Sequence, residues 1–156
     1  MNLTLSTPTD QEIAITRVFQ APRELVFDCY TKPELLKRWM FGPNGWAFEI
    51  CEIDLWVGGK YRYVWTGPEN ASLGIAGVFK TILPPEKIVN TQLFDQDWTG
   101  GEAIVSLSLT EQHGQTTTVT RILHSSKQAR DLALQSGMEH GMKMGFERLE
   151  TLLNTL

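Results

Sequence analysis

The sequence predicts an α+β fold: a curved antiparallel sheet of about seven strands, covered by one long C-terminal helix. Two observations carry the prediction. Between Trp46 and Leu123 apolar residues recur at period two, interrupted at short intervals by glycine, proline and other turn formers, the pattern of strands joined in sequence. From about Ser126 to Leu153 the period turns helical, with Met138, Met142, Phe146, Leu149 and Leu153 on one side and Glu139, Lys143, Glu147 and Glu150 on the other. No other stretch makes a helix of that length, so it alone can cover a sheet whose second face is solvated.

Taken in order, Met1 to Asp10 is a loose, turn-rich leader without the charged segment and apolar core of a signal peptide. Gln11 to Phe19 alternates and carries the β-branched Ile13, Ile15, Thr16 and Val18, giving the first strand. Ala21-Pro22 opens a short helix, because proline suits a first helical turn, and Leu25, Val26 and Cys29 form its apolar face. Thr31-Lys32-Pro33 ends that helix and begins a second short one through Arg38. Trp46, Phe48 and Ile50 then alternate, Gly58-Gly59 turns the chain, and Tyr61, Tyr63 and Trp65 share one face of the next strand. Further strands run from Leu73 to Leu83, Lys87 to Phe94, Ala103 to Leu109 and, past a His113-Gly114 turn, Thr116 to Leu123. Gly58, Gly59, Gly74 and Gly77 are expected at bulges and sharp bends. The chain, 1–156, reads as one domain.

With 42% hydrophobic and 21% charged residues the composition is that of an ordinary soluble protein. A net charge of -4 and the lack of any basic run argue against a nucleic-acid partner. No apolar run approaches the roughly 20 residues that cross a bilayer, so no membrane anchor is expected. Cys29 and Cys51 fall inside predicted elements and read as reduced core thiols of a cytoplasmic protein. A monomer or weak homodimer is expected.

Chemistry-bearing motifs are scarce. His113, His124 and His140 stand far apart without metal-ligand spacing and read as solvated side chains. The chain has no nucleophile elbow, phosphate-cradling loop or dinucleotide fingerprint. Glu52 and Asp54 share a strand face but read as a solvated edge. No catalytic residue, metal or cofactor is therefore assigned.

A ligand pocket is the remaining candidate site, since such pockets are mostly apolar and aromatic. Trp46, Tyr61, Tyr63, Trp65 and Phe79 would supply its sheet side, and Met138, Gly141, Met142 and Gly145 its helix side. An aromatic stripe also serves plain core, where it contributes large buried area. Gly137, Gly141 and Gly145 recur every four residues on one helix face, each costing about 1 kcal/mol relative to alanine. Either the helix backbone packs closely on the sheet there, or the missing side chains leave room for something else. Arg121 is in phase with Val119 and Leu123; a guanidinium would enter the pocket if that face is concave. The opposite face, Thr118, Thr120 and Ile122, is the alternative.

The motifs FQAPRELVFDCYTKPELLKRW, GPNGW, DLWVGGKYRYVW, GVFKTILPPEKIV, TTTVTRI and GMEHGMKMGFERLETLL, in that order, resemble bacterial homologues of the activator of the ninety-kilodalton heat-shock-protein ATPase. That family lies in the superfamily of START lipid-transfer domains, the major birch-pollen allergen and aromatic polyketide cyclases. The resemblance runs from Ile13 to Leu153 and implies a helix-grip fold, a seven-stranded sheet wrapped round the terminal helix with a cavity between. Many relatives carry aromatic residues, often tryptophan, where this chain has Met138 and Met142. The narrower, adaptable methionines imply a larger or more plastic pocket. Chaperone stimulation belongs to eukaryotic relatives with additional sequence.

The leading expectation is non-catalytic binding of a small hydrophobic or aromatic molecule, in a stress-related role. The alternatives are a cyclase- or hydrolase-type enzyme, with Tyr61, Tyr63, Arg121 and Asp54 or Glu52 as its candidate groups, and a chaperone-associated interaction module. An exposed patch of Trp39, Met40 and Phe41 would favour the last.

Overall fold

In the computed structural model, which describes residues 3–98 and 100–156, the first element is a strand that alternation did not mark: β1 (Thr4–Ser6). Met1 and Asn2 of the expected leader lie outside the described residues. β1 is too short to show a period, and it exists because Leu5 pairs with Ile15 of β2 (Glu12–Phe19). The expected strands follow as β3 (Ala47–Ile53), β4 (Lys60–Thr66), β5 (Ser72–Leu83), β6 (Lys87–Phe94), β7 (Ala103–Gln112) and β8 (Gln115–Leu123). Among the described residues the sheet therefore has eight strands, in the order β1-β2-β8-β7-β6-β5-β4-β3, and every pair is antiparallel.

Bulges interrupt the register between Phe48 and Ile50 and between Phe79 and Thr81, not at the glycines. Gly74 and Gly77 keep regular pairing with Val64 and Tyr61. Their role is clearance: a side chain at Gly77 would collide with the Thr91 carbonyl and the Tyr61 ring, and one at Gly74 with the Asp95 carboxylate.

Between β2 and β3 the chain forms α1 (Arg23–Thr31) and α2 (Pro33–Leu36), which close one end of the concave face. Val26, Phe27 and Cys29 of α1 and Leu36 of α2 are buried there, and the Trp39 indole donates to the Cys29 carbonyl at 2.9 Å. The terminal helix is not continuous. α3 (Lys127–Gln135), capped by the Ser126 hydroxyl accepting from Ala129 N–H, is separated from α4 (Met138–Leu153) by Ser136 and Gly137. Gly137 takes φ 85°, a left-handed conformation that glycine adopts without penalty. The first glycine of the stripe thus serves a break in the helix rather than its packing face.

The concave face is filled at one end and hollow at the other. Under α1 and α2, Phe19 meets Phe146 edge-on at 5.7 Å, Trp39 stacks on Phe146 at 6.5 Å, and Leu149, Leu152 and Leu153 complete the core. Arg17 is buried against this core, its guanidinium over the Phe19 ring at 4.6 Å and 3.4 Å from the Glu150 carboxylate. Trp39 is 2% exposed and Met40 and Phe41 are half-buried, so the open apolar patch that would have favoured an interaction module is absent. Cys29 is buried, Cys51 half-buried, and both are free thiols that burial pushes up to about 11.

Candidate functional site

The hollow end is a cavity of about 540 Å³, within the usual size range for small-molecule sites. Its floor is the inner face of β4 to β8, its roof the first half of α4, and its rim the 39–46 segment and Trp98. Alternation fixes which side chains reach it. Tyr61, Tyr63 and Trp65 leave β4 on the same side, Tyr63 tilted against Tyr61 at 4.8 Å and edge-on to Trp65 at 6.0 Å, with Phe79 of β5 5.6 Å from Tyr61. The rim is tied down on both sides. Trp65 Nε1 donates to the Met40 carbonyl at 2.7 Å, and the Arg148 guanidinium of α4 donates to the Phe41 and Gly42 carbonyls while lying 3.9 Å over the Phe41 ring.

Of the residues that the sequence nominated, Trp46, Tyr61, Tyr63, Trp65, Phe79, Met138, Gly141, Met142 and Gly145 line this cavity. Arg121 does not. It lies on the outer face, its side chain 53% exposed and paired with Glu12 at 3.8 Å, and the inner face of β8 is Thr118, Thr120 and Ile122. The glycines of α4 do not pack on the sheet. A side chain at Gly141 would meet nothing within 4 Å, and one at Gly145 would touch only Trp39, at 3.7–4.0 Å.

Sequence reasoning missed His124, Asn90, Gln92 and Thr120, all in the lining. His124 is 7% exposed rather than solvated. A signal was there to be read. A two-residue turn at His113-Gly114 pairs Gln112 with Gln115, hence Leu107 with Thr120 and Val105 with Ile122. The apolar stripe of β7 therefore assigns Thr120, Ile122 and, by continuation, His124 to the same face.

No charged side chain lines the cavity among the described residues. Some of its polar groups are engaged with the protein. Tyr61 Oη donates to the Thr91 carbonyl at 2.5 Å and accepts from the Asn90 amide at 3.1 Å, and Ser136 Oγ donates to the Ala133 carbonyl at 2.6 Å. Among the described residues two buried atoms have no partner, Tyr30 Oη and His124 Nε2. Burial raises the Tyr61 and Tyr63 phenols and, with a smaller contribution from Arg130, lowers the His124 imidazole. At neutral pH all three are therefore uncharged. Among the described residues no cluster of His, Cys, Asp and Glu could hold a metal ion, and no helix is long and apolar enough to cross a membrane.

Residues 20–154 match the family model described as Activator of Hsp90 ATPase homolog 1-like protein. The chain belongs to that family. Solved relatives share the helix-grip architecture over nearly all of their length. A Rhodobacter sphaeroides protein is 29% identical with a TM-score of 0.94, covering 100% of both chains. A Staphylococcus epidermidis protein is 27% identical with a TM-score of 0.82, covering 97% of this chain and 94% of its own. A Nitrosomonas europaea protein, 23% identical with a TM-score of 0.84 over 96% of this chain and 97% of its own, is similar in fold. No curated protein matches the sequence.

Proposed function

We propose that this member of the Activator of Hsp90 ATPase homolog 1-like family binds a small apolar or aromatic molecule in the cavity without transforming it. The observation that carries the reading is a 540 Å³ space walled by aromatic and aliphatic side chains and free of charged groups. Burying an apolar ligand there releases about 25 cal/mol per Å² of apolar surface removed from water. Proton-transfer chemistry would need an acid or base presented to the ligand; Tyr61 is committed to Thr91 and Asn90, and the unpartnered His124 imidazole has no carboxylate beside it in the lining among the described residues. Arg121, the cation considered for an enzyme, faces solvent.

Titration with an anilinonaphthalene sulfonamide probe tests the reading. The parent protein should enhance its emission with saturable binding, and Gly141→Trp, which fills the mouth, should weaken that binding while the protein still melts cooperatively. A parent that gives no enhancement, or a Gly141→Trp protein that binds as the parent does, would refute it.

A further inference from the structure

The cavity is not uniformly apolar, and two of its polar side chains, Gln92 and His124, sit at one end on either side of β7. Gln92 of β6 pairs with Ala103 of β7. Ile104 pairs with Leu123, so the next step of the same register sets His124 opposite Ala103, where its N–H continues the ladder to Gln11 O at 2.9 Å. Gln92 and His124 therefore flank a residue with only a methyl group, on strands about 10 Å apart. Both line the cavity. His124 is buried with Nε2 unpartnered, and the half-buried Gln92 carboxamide makes no side-chain hydrogen bond among the described residues, leaving it open to the cavity. Tyr61 and Asn90 satisfy one another nearby, whereas Tyr30 Oη of α1, the other unpartnered buried side-chain atom among the described residues, also lines the cavity.

A buried polar group without a partner is unfavourable unless something supplies the missing bond. Neutral imidazole and carboxamide can each donate and accept, so together they suit a hydroxyl or a carbonyl oxygen. They suit a carboxylate poorly, because no cation lines the cavity among the described residues to offset its desolvation. Burial, which keeps the imidazole uncharged at neutral pH, points the same way.

We propose that the ligand is an uncharged amphipathic molecule whose apolar body lies against the Tyr61, Tyr63 and Trp65 wall and whose hydroxyl or carbonyl oxygen is held between His124 and Gln92. This rests on the cavity being a ligand site, and it adds the ligand's charge, polarity and orientation.

The test compares 2-naphthol, naphthalene and 2-naphthoate by NMR titration against the parent, His124→Leu, Gln92→Leu and Tyr30→Phe. In the parent, 2-naphthol should shift the His124 imidazole signals and bind more tightly than 2-naphthoate. His124→Leu should weaken 2-naphthol by up to about tenfold, the worth of a neutral hydrogen bond, and leave naphthalene unchanged or tighter. Gln92→Leu should act in the same direction and provides the readout if His124→Leu does not fold. Tyr30→Phe, which removes the other unpartnered group, should leave the preference intact. If both neutral probes bind but neither His124→Leu nor Gln92→Leu separates them, the polar pole is wrong and the apolar cavity stands. The polar pole is equally wrong if Tyr30→Phe erases the preference or 2-naphthoate binds best. If naphthalene and 2-naphthol both fail to bind the folded parent, the cavity reading falls and this one with it.

Discussion

The two halves of α4 have the same helical pattern in the sequence and different work in the fold. From Gly145 onward the helix is anchored: Phe146, Leu149, Leu152 and Leu153 are buried among Phe19, Trp39 and the α1–α2 corner. From Met138 to Met144 no residue is buried, Gly141 is exposed, and Met138 and Met142 roof the cavity half-covered. The contrast teaches that an amphipathic stripe marks where a helix faces, not what it faces. One half meets packed side chains, and the other meets empty space.

Core substitutions should break this comparison most visibly. Leu149→Ala removes a fully buried side chain and should cost about 2–5 kcal/mol in denaturant unfolding, whereas Met142→Ala should cost about 1 kcal/mol or less. Equal losses would mean that the roof is as tightly packed as the anchor. A smaller effect of opposite sign is expected at Gly141. Alanine there meets no neighbour and improves helix propensity, so Gly141→Ala should stabilise by up to about 1 kcal/mol. A lower Tm would show that the site is crowded.

The most modest effect is on pH. His124 has its pKa lowered from 6.5 by burial and by Arg130, so the unfolded chain takes up a proton at pH values where the folded one does not. Its contribution is full above about pH 6.5 and is lost as pH falls toward the folded pKa. Thermal melts across that window should show the parent losing stability on acidification more steeply than His124→Leu. Parallel profiles would show that the imidazole is not desolvated.

Much of the sheet was legible because side-chain alternation is a local property: β2 to β8 lie close to where the period-two runs were read. β1 was not, since Thr4-Leu5-Ser6 has too few residues to show a period and gains its order from β2. The break at Ser136-Gly137 was hidden by its own spacing. A glycine in register with Gly141 and Gly145 reads as part of a face, and its left-handed φ becomes visible only with the backbone. The cavity wall of Tyr61, Tyr63 and Trp65 could be named from one strand. Arg121 could not be placed that way, because Val119-Leu123 and Thr118-Ile122 are both plausible inner faces until β7 fixes the register.

The strand order has a consequence for how the protein is made. β2 leaves the ribosome well before its long neighbour in the sheet, β8; the Thr118 hydroxyl donates to the Arg17 carbonyl 101 positions away. At about 5–20 residues per second, roughly 5–20 s of synthesis separate the two partners. During that interval β2 has only the short β1 to pair with, while β3 to β7 can already form a meander. Its inner face stays open until α4 emerges. Until α4 is translated, the nascent chain holds exposed the aromatic wall that this helix later roofs, and the fold cannot close.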